Sequence, residues 1–137
     1  MIDILYREDV ADLLKMGVRE QFGDDFEAVV RNIVSCYKRH NIVVMVYPCR
    51  ARRHHKKGGG ALLRLIPPKI CIELHNRYQM LLTLFHELEH LGRPLMSCLS
   101  KKQTQMEEQL VERRTKSIYY QYERLSRLRQ EMPNETH

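Results

Sequence analysis

The segment LLTLFHELEHLGRP, Leu81 to Pro94, places the tightest constraint on how this chain can fold. From Asn76 to about Leu91 the apolar residues Tyr78, Leu81, Leu82, Phe85, Leu88 and Leu91 recur at helical spacing, and Gly92 and Pro94 supply helix-stop chemistry. Set among them are His86, Glu87, Glu89 and His90. The helix must therefore be covered along its apolar stripe while two imidazoles leave it about 40° apart around the axis and one turn apart along it. Both rings can reach a single ion.

Neutral imidazole suits zinc, and in a catalytic site water completes the coordination sphere. Glu87 follows the first histidine and projects beside the pair without having to bind metal. It is placed to accept a proton from water, whose pKa zinc lowers to about 7, and to pass it to a leaving amine. A bare HExxH pattern recurs by chance. Here the segment is helical by pattern, its apolar stripe runs continuously upstream, and a strand ends just before it. The competing account has His86 and His90 on a helix surface, paired with Glu87 and Glu89.

The rest of the chain reads as elements that could cover such a helix. Asp9 to Glu20 places Val10, Leu13, Leu14 and Val18 at helical spacing, with Gly17 weakening its end. After the turn signal Phe22-Gly23-Asp24-Asp25, a second helix is expected from about Phe26 to Arg39, its stripe Phe26, Val29, Val30, Ile33, Val34 and Tyr37. Ile42 to Tyr47 is a run of six apolar, mostly β-branched residues and predicts a strand buried on both faces. Ala61 to Ile66, stopped by Pro67-Pro68, and Lys69 to Leu74 predict two more. A long helix is expected from about Lys102 to Met132. The fold class is α+β: a small three-stranded sheet packed against helices, in a single domain of residues 1–132 with a disordered tail at 133–137.

At 137 residues, with 43% hydrophobic and 29% charged content, the composition is that of an ordinary soluble domain. No apolar run approaches the ~18 residues of a membrane span, and the acidic N-terminal segment lacks a signal-peptide pattern, so a cytoplasmic location is expected. Cys36, Cys49, Cys71 and Cys98 form no CxxC pair, which argues against a disulfide framework or a four-cysteine zinc site. Cys36 and Cys71 read as small buried hydrophobes. The net charge of +6 is uneven: residues 1–40 hold six Lys/Arg against eight Asp/Glu, the remainder seventeen against nine. That surplus favours acidic partners or nucleic acid.

A catalytic zinc needs a third protein ligand. The extended pattern HExxHxxGxxH would require Gly at 93 and His at 96, where this chain has Arg93 and Met96. Carboxylates are available instead: Glu107, Glu108 and Glu112 lie in MEEQLVERRTKSIYY. In the gluzincin arrangement an antiparallel helix supplies a glutamate. Glu108 and Glu112 share a face, so that one can ligate while the other orients a histidine. Glu108 is the favoured third ligand and Glu112 the alternative.

An apolar strand, a variable loop, IPPKICIELHNRYQMLLTLFHELEHL and an acidic helix together resemble the ImmA/IrrE family of zinc metallopeptidases over roughly residues 42–120. In that family a strand like KICIELH precedes an FT-x-x-HELGH helix, which LLTLFHELEHL resembles. The resemblance implies a minimal zincin-like domain and an intracellular peptidase cutting helix-turn-helix repressors, in mobile elements or DNA-damage responses. It implies one zinc per chain, His86 and His90 as ligands and Glu87 as general base. The family's acidic helix usually reads E-A-N-x-F-A, whereas Gln109 follows Glu108 and Arg113 follows Glu112 here. The glycine of HELGH is replaced by Glu89.

Two features lie outside the histidine segment. CRARRHHKKGGG, residues 49–60, crowds Arg50, Arg52, Arg53, Lys56 and Lys57 with His54 and His55 into one loop before a flexible triple glycine. If 42–47 and 61–66 are neighbouring strands, this loop is the tip between them, placed to guide an acidic substrate or to contact phosphates. A second reading follows: a non-catalytic interaction protein on the same scaffold, binding a regulator or nucleic acid through residues 50–57. In the last helix Ile118, Tyr119, Tyr122 and Leu125 continue an apolar stripe.

Overall fold

A computed structural model describes residues 1–49, 59–93 and 98–131. The basic-loop residues Arg50, Arg52, Arg53, Lys56 and Lys57, and the tail at 133–137, lie outside the described residues. The chain divides into two compact units, Met1–Pro94 and Leu95–His137.

The first unit runs β1 (Ile2–Tyr6), a 3-10 turn (Glu8–Val10), α1 (Ala11–Phe22), α2 (Phe26–Cys36), β2 (Ile42–Tyr47), β3 (Gly60–Leu63), β4 (Lys69–Glu73) and α3 (Arg77–Leu91). The fold is α+β as expected, but the sheet has four strands rather than three, in the order β1-β2-β4-β3. β1 is the strand the sequence reading missed. In IDILY only the alternation of Ile2, Ile4 and Tyr6 marks it, and the flanking acidic residues mask that short signal. Tertiary pairing settles it: Ile2, Ile4 and Tyr6 stand in parallel register with Ile42, Val44 and Val46.

β2 and β4 are also parallel, Val44 opposite Ile70 and Val46 opposite Ile72. β3 is antiparallel to β4 and forms an edge of the sheet, Gly60 opposite Ile72 and Leu62 opposite Ile70. The expectation that β2 and β3 are neighbours is therefore corrected, since β4 lies between them. A parallel pair needs a crossover, and the chain leaves β2, passes β4 and returns along the edge before entering it. The residues flanking this excursion are tied to β4: the Leu74 N–H donates to Tyr47 O (2.7 Å) and the Glu73 N–H to Gly59 O (2.9 Å).

One sheet face carries the core. Ile42, Val44, Val46, Ile70 and Ile72 are fully buried, whereas Val43, Met45 and Tyr47 on the opposite face are only half-buried. β2 is thus not buried on both faces as its composition suggested. Leu14, Val18 and Phe22 of α1, Phe26, Val30, Ile33 and Val34 of α2, and Met80, Leu81, Leu84, Phe85 and Leu88 of α3 complete the core. Each such side chain contributes about 1.5–3 kcal/mol of burial. Gly17 lies within α1 rather than ending it, and a β-carbon there would stand 2.5 Å from Leu74 Cδ2, so helix and strand approach closely at this point.

Two cysteine assignments change. Cys36 closes α2 about 200° around the axis from Val34 and is exposed. Cys71 is half-buried on the open sheet face.

The second unit contains α4 (Lys101–Glu131). Its start is a capping box: Ser100 Oγ accepts from the Gln103 N–H (3.2 Å), and Gln103 Oε1 accepts from the Ser100 N–H (2.9 Å). Val111, Thr115 and Tyr119 form its buried stripe. Among the described residues no helix is long and apolar enough to cross a membrane.

Candidate metal centre

α3 begins where its sequence says it should. Asn76 is the N-cap, its side-chain oxygen accepting from the Gln79 N–H at 2.8 Å. The far end is held from the neighbouring edge segment. Arg64, just beyond β3, donates from Nη2 to His90 O (2.8 Å) and Arg93 O (2.9 Å), and from Nη1 to Leu91 O (3.5 Å). A helix leaves its last carbonyls without intrahelical donors and carries partial negative charge there, so a guanidinium answers both needs. Gly60 marks the other point of approach: a β-carbon on it would lie 2.2 Å from Thr83 Cγ2 and 3.3 Å from Glu87 Oε2. β3 and α3 therefore run side by side in one direction, Gly60 by Thr83 and Glu87, Arg64 by His90.

This frame aims the two histidines at one point. His86 Nε2 and His90 Nε2 are 3.2 Å apart, with ring centroids at 4.7 Å and planes at 70°. Two imidazole nitrogens on one tetrahedral zinc, each bonded at ≈ 2.0–2.1 Å, stand roughly 3.3 Å apart. The observed spacing meets that requirement, and it also permits a hydrogen bond between the rings in the appropriate tautomers.

Of the three candidate carboxylates on α4, Glu107 and Glu108 are half-buried and Glu112 is exposed. Among the described residues, His86, His90 and Glu108 form a group that could hold a metal ion, each offering one ligand atom and all these atoms lying within 4.8 Å of one another. Two imidazoles and a carboxylate are a donor set zinc accepts.

Glu87 and Glu89 are both buried, at 8% and 7% exposure, and part company in direction. Glu87 lies by the Gly60 backbone. Glu89 accepts a 2.8 Å hydrogen bond from the hydroxyl of Tyr37, at the end of α2. The account in which both histidines sit on an open helix surface does not hold, because His90 is buried and His86 half-buried.

Three supporting residues escaped the sequence reading. Arg64 looked like part of a strand, Gly60 like part of a hinge, and Tyr37 like core alone. The close glycine had a sequence signal, since a glycine opening an edge strand often marks a backbone approached by a neighbour. Arg64 and Tyr37 had none. Tyr119 is buried and Tyr120 exposed. A surface cavity of about 160 Å³ bounded by Tyr6, Lys15, Phe26 and Glu27 shares no residue with the histidine pair. Burial, reinforced by the nearby charge of Glu27, raises the Tyr6 hydroxyl above its usual pKa.

No protein-family model, no curated protein and no solved structure matches this chain.

Proposed function

We propose that the chain is a zinc-dependent endopeptidase of the ImmA/IrrE type, with one zinc held by His86, His90 and Glu108. The observation that carries this reading is the convergence of those three ligand atoms within 4.8 Å, with a buried glutamate next to the first histidine. When bound, zinc supplies Lewis acidity that polarises a carbonyl and makes water a competent nucleophile near neutral pH.

The chain's own residues supply the rest. Glu87 accepts a proton from the attacking water and delivers it to the leaving amine. Its burial beside the Gly60 backbone limits the positions its carboxylate can take, so little rotameric freedom is lost when it acts. β3, an edge strand antiparallel to β4, offers backbone donors and acceptors along which an extended substrate can add as a further strand. A protein segment is therefore the substrate class, and a helix-turn-helix repressor is the one the sequence resemblance implies.

The test is a digest of a proteome-derived peptide mixture by the zinc-loaded chain, with new termini read by mass spectrometry. Cleavage at a consistent set of bonds is expected, and Glu87→Gln should abolish it while keeping its zinc. Cleavage that survives Glu87→Gln, or no new terminus from a zinc-loaded parent, overturns the reading.

A further inference from the structure

α4 carries a second feature, on the face opposite its buried stripe. At 100° per residue, Val111, Thr115, Tyr119 and Tyr122 fall on one side of the helix, and Arg113, Lys116, Tyr120, Arg124 and Arg127 fall within about 80° of one another on the other. All five of the latter are exposed, Tyr120 at 63%. From Arg113 to Arg127 the ridge is about 21 Å long at 1.5 Å per residue. Its only flanking acids, Glu112 and Glu123, stand about 40° aside, one turn before Lys116 and Arg127. Among the described residues no ion pair engages any of the four cations. The imbalance is local: residues 113–131 hold six Lys/Arg against two Asp/Glu.

We infer that this exposed ridge of α4 binds the phosphate backbone of duplex nucleic acid. Charge complementarity selects the occupant. A row of cations on a rigid rod matches a partner whose charges are themselves in a row, and duplex DNA presents one per ≈ 1.7 Å of axis. Three of the four cations are Arg, whose planar fork meets phosphate oxygens two at a time. Tyr120, at the centre, adds a hydroxyl donor among them. A lipid surface fits less well, since a helix lying in a membrane interface buries an apolar face. Here Val111 and Tyr119 are buried, the exposed Leu125 and Leu128 stand about 40° or more to one side of the ridge, and the ridge itself has no aliphatic residue between Arg113 and Arg127.

The experiment is fluorescence anisotropy of a labelled mixed-sequence 20-base-pair DNA duplex with the full chain, titrated between 50 and 200 mM KCl. Four phosphate contacts predict a slope of log affinity on log salt near −3.6, roughly a 100-fold loss across that range. Replacing Arg113, Lys116, Arg124 and Arg127 together by Gln should remove most of that slope with helicity unchanged. Glu123→Gln should instead tighten binding several-fold, and Glu87→Gln should leave it unaltered. Three results overturn the proposal: no binding at 50 mM, full binding by the quadruple variant with loss only when Arg50 to Lys57 are neutralised, or binding to phosphatidylserine vesicles without binding to the duplex.

Discussion

Glu87 and Glu89 are two residues apart on one buried helix and meet different neighbours because a helix turns about 200° between them. Glu89, standing where the resembled family has glycine, is bound by Tyr37 and tied to α2. Glu87 stands close to Gly60, where a β-carbon would lie 3.3 Å from its Oε2, which makes Gly60 a sensitive small residue near it. Gly60→Ala puts a methyl 2.2 Å from Thr83 Cγ2 and 2.9 Å from the Cys71 carbonyl. The backbone oxygen cannot rotate away, so overpacking of about 1–3 kcal/mol is expected. Urea unfolding checks this: an unchanged midpoint would mean that strand and helix are not in contact there. The histidine pair was legible at this scale because spacing alone fixes its geometry. Tyr37 as the partner of Glu89 was not, since their 52-residue separation is closed only by tertiary packing.

At the scale of elements, the helices were readable from periodicity and the sheet only in part. α3 and α4 begin within a residue of where Asn76 and Ser100 cap them, both local signals. β1 was missed because five residues of alternation at a charged end are a weak signal until β2 pairs with them. Strand order was beyond reach as well: no residue in β3 announces that it passes β4 to become the edge. Two predictions belong here. Arg64→Ala withdraws the donors of three carbonyls at the end of α3, so faster amide exchange in its last turn and a loss of about 1 kcal/mol are expected. Protection identical to that of the parent would show that water replaces the guanidinium without cost. In α4, the buried Thr115 Oγ1 has no hydrogen-bond partner among the described residues. Thr115→Val keeps the shape and removes the stranded hydroxyl, so a gain of about 1 kcal/mol in stability is expected. A drop in thermal midpoint would instead reveal a partner for that hydroxyl.

For the whole molecule, charge is uneven along the sequence, and the candidate metal group lies in its basic part. The acidic first forty residues build β1, the 3-10 turn, α1 and α2, while the basic surplus lies beyond them. The sequence showed that surplus but not its arrangement into a ridge on α4, because surface ordering appears only once the helix is known to bury Val111, Thr115 and Tyr119. The sequence offered Glu108 and Glu112 as alternative candidates for a third ligand; Glu108 is half-buried and groups with His86 and His90, whereas Glu112 is exposed. The measurement that bears most directly on the zinc proposal is metal content per chain, by elemental analysis of untagged protein, in the parent, Glu108→Ala and Glu112→Ala. About one zinc in the parent and in Glu112→Ala, with loss in Glu108→Ala, is the expected result. A parent that takes up no zinc from excess metal, or a Glu108→Ala variant that keeps it, would contradict the account.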